Sequence, residues 1–169
     1  MRDVTNDEAR FERWLSDYRD DVLRACYVLL RDRALAEDAM QDAFVKVWRA
    51  MARFEERENC SVKTWIMRIA VNTCRDYQRT RWFRRSKSDV SLDALPPAAG
   101  PVAEESRELF LDVMRLPEKL RQAVLLYYYE ELTMEEAAKL LRVSKATLSR
   151  RLRRACELLR CPWEGGSDG

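Results

Sequence analysis

Apolar residues recur at three- and four-residue steps along most of this chain, the period of helices that bury one face. The first run puts Phe11, Trp14 or Leu15, Tyr18, Val22, Cys26 and Leu29 on one side. Thr5 and Glu8 ahead of it read as a capping box that starts the helix. Asp32 is placed to cap a second helix. That helix turns Ala36, Met40, Ala43, Phe44, Val47, Trp48 and Met51 inward and Asp38, Gln41, Asp42, Val45 and Arg49 outward. The period is lost over Phe54–Ser61, which reads as a loop. It resumes from Lys63 to about Arg85, with Trp65, Ile66, Ile69, Ala70, Thr73 and Tyr77 on the inner side.

Ser86–Ala103 has no apolar period and holds three of the five prolines and one glycine. It reads as a flexible linker that spans at most about 60 Å when extended, or roughly 18 base pairs of duplex. Past it, Leu109, Val113 and Leu116 mark a helix that ends before Pro117. Pro117 then falls in the first turn of the next helix, which buries Leu120, Val124 and either Tyr127 or Tyr128. Two short helices close the pattern. Thr133 and Glu136 form a capping box for the first, whose apolar face is Ala137, Leu140 and Leu141. The period breaks at Arg142-Val143. Ser144 caps the second, in which Leu148, Leu152, Ala155 and Leu159 make the buried stripe. Only one glycine precedes residue 165, and no run of alternating β-branched residues occurs. The expectation is an all-α protein: two small helical domains, residues 5–85 and 104–161, joined by a linker at 86–103.

Charge changes the picture. The net charge of +2 over 169 residues hides a strong asymmetry. Met1–Phe44 carries seven Arg/Lys against eleven Asp/Glu, whereas Arg75–Arg85 carries five Arg against one Asp. Lys145–Arg160 holds six Lys/Arg against one Glu. An acidic front suits a protein partner, and the basic segments suit nucleic acid. The five cysteines lack CxxC spacing and histidine is absent. That argues against a structural zinc or a disulfide framework and for small core fillers in a reducing cytosol. No cofactor or metal is expected. With no histidine, nucleophile elbow, P-loop or paired carboxylates, no enzyme is expected either. The chain has no long apolar run and meets charge directly after Met1, so neither signal peptide nor membrane insertion is expected, and the expected location is cytoplasmic.

Three surfaces are candidate sites. In the closing helix pair, Lys145, Ser149, Arg150, Arg153 and Arg154 lie off the apolar stripe, beside Ser144 and Thr147 at the helix start. A capped partner helix and a basic second helix fit the geometry of major-groove entry; a solvated charged helix is the alternative. In the third helix Arg68, Asn72, Arg75, Arg79 and Trp82 follow at three- and four-residue steps, next to Asn59 and Ser61 of the loop. Guanidinium, amide and aromatic groups together suit phosphate contact and stacking on unpaired bases; a basic surface helix with Trp82 turned to the core is the alternative. On the second helix Val45 lies within the polar strip of Asp38, Gln41 and Asp42, which favours a partner surface.

Ala36-Glu37-Asp38, Gln41, Phe44 and Trp48, followed by Trp65 to Asn72 (WIMRIAVN) and a basic run, resemble region 2 of bacterial sigma factors. Leu116 to Arg121 (LPEKLR), Tyr128 and the helix-turn-helix resemble region 4. The pair in this order, with only a Pro-containing linker between, resembles the extracytoplasmic-function (ECF) group of the sigma-70 family over Phe11–Arg160. Arg142 stands where that family often has Gly, and Leu148 where it commonly has Val. The resemblance implies a specificity subunit of RNA polymerase in a stress or envelope response. Asp38, Gln41, Asp42 and Val45 would dock on core RNA polymerase. Asn59, Ser61, Arg68, Asn72, Arg75, Arg79 and Trp82 would read and open the −10 box. Ser144, Lys145, Thr147, Ser149, Arg150, Arg153 and Arg154 would read the −35 box of promoter DNA. It also implies an anti-sigma factor as a partner. Two other readings compete. One is a repressor or activator whose first domain senses a ligand, a task that does not call for a basic aromatic helix; the other is a helical adaptor independent of DNA.

Overall fold

The computed structural model describes residues 4–56, 60–80 and 104–161. They form helices and connecting turns, with no strand among them. The chain divides into two compact units, Met1–Ala98 and Ala99–Gly169.

The first unit is a three-helix bundle in which α1 (Val4–Leu30), α2 (Arg33–Ala50) and α3 (Val62–Gln78) pack against one another. The C-terminal third of α1 is apolar nearly all round, and Val22, Leu23 and Ala25–Leu30 are all buried. A helix end of that composition must be covered on several sides, and both partner helices reach it. Asp32 caps α2, accepting from the Leu35 amide at 3.0 Å. A 3-10 turn, Met51–Arg53, leads out of α2. Ser61 caps α3, its Oγ accepting from the Thr64 amide at 3.1 Å. Phe54 stacks on Trp65 with ring centroids 4.6 Å apart and meets Trp14 edge-on at 5.8 Å. These rings pin the near end of the Phe54–Ser61 loop to the bundle.

Several details differ from the sequence reading. α1 is already helical at Val4, so Thr5 lies inside its first turn and is not the cap. Trp48 is 38% exposed, on the flank of α2, where its ring meets Phe11 at 5.3 Å. α3 stops at Gln78 and not near Arg85. The Thr80 amide and hydroxyl both bond the Tyr77 carbonyl, at 3.1 and 2.7 Å, which closes the last turn. Trp82 and the linker 86–103 lie outside the described residues.

The second unit is built from α4 (Glu104–Arg115), α5 (Glu118–Val124), α6 (Met134–Leu141) and α7 (Lys145–Leu159). α5 packs on α7, and α6 on both. Pro117 precedes α5 as its N-cap, one position earlier than expected. The buried stripe of α4 is Phe110, Val113 and Met114; Leu109 is 45% exposed. α5 runs into a π turn, Leu125–Tyr129, closed by the Glu130 amide on the Leu125 carbonyl at 2.9 Å. The wider turn shifts the register. Leu125 and Leu126 are buried, Tyr127 only half so, and Tyr128 is exposed. In α7 Leu148, Leu152, Ala155 and Cys156 are buried, while Leu159 is half-exposed. Cysteine behaves as a core filler at 26, 74 and 156, but Cys60 is half-buried and Cys161 exposed.

Candidate functional site

The α6–α7 pair is a helix-turn-helix whose ends are all satisfied locally. Thr133 Oγ1 accepts from the Glu136 amide at 3.1 Å, and the Glu136 carboxylate accepts from the Thr133 amide at 2.9 Å. Arg142 closes α6 in the left-handed conformation, φ 60° and ψ 42°, with the Val143 amide on the Ala138 carbonyl at 3.0 Å. Ser144 then caps α7, accepting from the Thr147 amide at 3.1 Å.

The polar side of α7 starts from that cap. Ser144 Oγ donates to Thr147 Oγ1 at 3.0 Å, and Arg150 donates to the same oxygen at 3.2 Å. The Arg150 guanidinium is thereby held over the helix start. Arg154 pairs with Glu157 at 3.1 Å. Arg153 makes no side-chain bond within the described residues, and Lys145, Arg150, Arg153 and Arg154 are all exposed, with Thr147 and Ser149 half-buried. The structure thus puts all seven expected residues on or beside the uncovered side of one helix. The arrangement can deliver cations and hydroxyl donors to an anionic groove.

On α3, Ser61, Arg68, Asn72, Arg75 and Arg79 fall along one side by the helical period. Arg75 donates to Asn72 Oδ1 at 2.9 Å, and Arg79 lies 3.6 Å from the Asp76 carboxylate. Arg68, Asn72 and Arg79 are exposed and Arg75 is half-buried. Ser61 does structural work as the α3 cap, a role the sequence reading did not give it. Asn59 and Trp82 lie outside the described residues.

On α2, Asp38, Gln41, Asp42 and Val45 are exposed along one strip, Val45 at 46%. This strip includes a contact absent from the sequence reading: the Tyr77 hydroxyl of α3 donates to the Asp42 carboxylate. Tyr77 is only half-buried, not core. A tyrosine, rather than a phenylalanine, at that edge was the available signal, since a partly covered phenol finds a polar partner. In the second unit, burial and then a 3.8 Å contact with Cys156 push the Tyr128 hydroxyl upward from its ordinary range. Among the described residues no group of acidic, histidine or cysteine side chains could hold a metal ion, and no helix is long and apolar enough to cross a membrane.

Comparison with known proteins follows the same division. Residues 14–84 match the Sigma-70 region 2 family and residues 113–159 match Sigma-70, region 4. The chain is 31% identical over 153 residues to the ECF RNA polymerase sigma factor SigM of Bacillus subtilis, covering 88% of this chain and 92% of SigM. It is 34% identical over 136 residues to the ECF RNA polymerase sigma-E factor of Escherichia coli K12, covering 72% of this chain and 70% of that protein. Its fold is similar to that of the sigma factor RpoE of Bartonella quintana, solved in complex with the anti-sigma factor NepR. The TM-score is 0.70 at 22% identity, over 89% of this chain and 94% of RpoE. On sequence and fold together, the chain belongs to the sigma-70 family of RNA polymerase sigma factors, in its ECF group.

Proposed function

We propose that this chain is a dissociable sigma factor that binds core RNA polymerase and directs transcription initiation at its own set of promoters, in a stress or envelope response. The observation that carries this is the order of two different binding units in one chain. A three-helix bundle bears an acidic strip on α2 and a basic strip on α3, and it is followed by a helix-turn-helix with a basic, doubly capped second helix. A repressor needs only the last of these. The chain acts by binding, and its chemistry is electrostatic complementarity and hydrogen bonding.

In this reading residues 5–85 form the polymerase-binding and −10 domain, 86–103 the linker and 104–161 the −35 domain. Asp38, Gln41, Asp42 and Val45 meet core polymerase. Arg68, Asn72, Arg75 and Arg79, with Ser61, Asn59 and Trp82, meet the −10 element, where unpaired bases must be held to offset lost pairing and stacking. Ser144, Lys145, Thr147, Ser149, Arg150, Arg153 and Arg154 meet the −35 element. An anti-sigma factor is a reasonable partner: RpoE was solved with NepR, and the similarly folded CnrH with the cytosolic domain of CnrY. Such a partner would keep the chain from polymerase until a signal releases it.

The test is run-off transcription from genomic fragments with purified core polymerase. Discrete transcripts that need the added chain, and share an upstream and a downstream box, are expected. Sequence-specific binding to duplex by the free chain, with no dependence on core polymerase and no transcripts, would instead identify a repressor or activator.

A further inference from the structure

A polar seam joins α2 and α3 on the exposed flank of the first unit. Asp42 of α2 accepts from the Tyr77 hydroxyl of α3. One turn along α2, Lys46 donates to Thr73 Oγ1 at 3.1 Å and lies 3.5 Å from the Asp76 carboxylate. Thr73 commits its own proton to the Ile69 carbonyl at 2.7 Å, so it can only accept from Lys46. Residues 42 and 46 of α2 thus meet residues 73, 76 and 77 of α3, each set within about one helical turn.

The Tyr77–Asp42 bond stands apart because Asp42 also lies in the strip proposed to meet polymerase. A carboxylate alone on a helix surface samples several staggered rotamers. Tied to a ring anchored on the neighbouring helix, it offers its remaining lone pairs in one direction. A tyrosine hydroxyl is a donor at neutral pH in any case. For Tyr77, burial, followed by the bond to Asp42 and the nearby charges of Asp42 and Asp38, pushes its ionisation further up, so the bond also persists into alkaline solution.

We propose that Tyr77 is a positioning residue for polymerase docking, its hydroxyl holding the Asp42 carboxylate in the orientation that meets hydrogen-bond donors on core polymerase. This rests on the reading of Asp42 as part of the docking strip. Pre-ordering the carboxylate lowers the cost of immobilising it in the interface.

The test is a double-mutant cycle on the full chain, fluorescently labelled and titrated with purified core polymerase. Tyr77→Phe, which keeps the ring, is expected to weaken binding roughly three- to tenfold, the scale of one lost hydrogen bond. In an Asp42→Ala background the same change is expected to cost nothing more. If Asp42→Ala weakens binding and Tyr77→Phe does not, the positioning role is overturned and the docking strip stands. If Asp42→Ala has no effect, the docking strip itself is wrong. An equal loss from Tyr77→Phe in both backgrounds would mean that it acts through the fold, and that also overturns the proposal. Should Tyr77→Phe lower the thermal midpoint, Asp42→Asn gives an independent comparison. It retains an accepting oxygen, so its advantage over Asp42→Ala should be present with Tyr77 and vanish with Tyr77→Phe.

Discussion

Arg31, Glu131, Arg142 and Arg160 all hold positive φ, between 56° and 60°, and each stands where a helix gives way to a turn. A left-handed conformation costs an ordinary residue about 1 kcal/mol or more through its Cβ. The bonds it permits compensate: beyond α7 the Cys161 amide reaches the Cys156 carbonyl at 3.0 Å, as Val143 reaches Ala138 beyond α6. Three of the four are arginines, whose charge suits a helix C-terminus. The break at Arg142-Val143 was readable from the sequence, because the apolar period stops there and Ser144 follows as a cap. Arg142→Gly is therefore expected to stabilise the second unit by up to about 1 kcal/mol, the released strain exceeding the added chain entropy of glycine. Differential scanning calorimetry would register this as a midpoint higher by a few degrees. A lower midpoint would show that the arginine side chain contributes more than its backbone costs. Tyr77 was harder to read at this scale. Its helical position assigns it to the inner side of α3, and only the three-dimensional approach of α2 reveals that it is half-buried with its hydroxyl on Asp42.

Caps are local arrangements, a side-chain oxygen three residues ahead of an amide, and those at Asp32, Thr133 and Ser144 were legible in the sequence. Ser61 was not read as one, and Thr5 was read as one but lies inside α1. Asp32, Ser61, Thr133 and Ser144 each accept from the amide three residues on. The interior stripe is less determinate. Leu109, Val113 and Leu116 satisfy the helical period as well as Phe110, Val113 and Met114 do. Val113 and Leu116 are buried as expected, but the first turn is covered through Phe110, whose ring meets Tyr129 edge-on at 5.4 Å, and not through Leu109. The π turn after α5 was unreadable for a related reason, because five apolar residues in a row carry no phase. Ser61 is where cap and candidate site coincide, and the two roles can be separated. Ser61→Ala should cost about 1 kcal/mol in urea unfolding by leaving the first turn of α3 uncapped. Ser61→Asp should recover that stability, since aspartate caps equally well. If Ser61 also touches the −10 strand, the aspartate variant will remain poor at opening duplex promoters while the fold is intact, because it sets a negative charge beside DNA. Full permanganate reactivity of the bubble with Ser61→Asp would leave Ser61 with the cap alone.

Across the whole molecule the basic charge is concentrated on α3 and α7, while α2 sets Asp38 and Asp42 on one exposed strip; the basic segments were visible from composition before any fold was known. What composition cannot assign is the task of each arginine. Arg150 is tethered to Thr147, Arg154 is paired with Glu157, and Arg153 makes no side-chain bond within the described residues. A tethered guanidinium is oriented and suits a base edge, which demands fixed donor geometry. An untethered one can follow a phosphate, which demands only charge. The expected outcome for holoenzyme on promoter DNA follows. Arg153→Ala should weaken binding to all sequences alike and reduce the slope of log affinity against log salt by about one. Arg150→Ala should cost about 1–3 kcal/mol on the preferred −35 box and relax discrimination at one position, while leaving it at the other positions unchanged. Binding titrations at several salt concentrations, on the preferred box and on single-base variants, separate the two. If Arg150→Ala, Arg153→Ala and Arg154→Ala all lower the salt slope and none alters base preference, α7 supplies attraction without reading. The specificity of the second unit would then have to come from Ser144, Lys145, Thr147 and Ser149 or from the shape of the DNA.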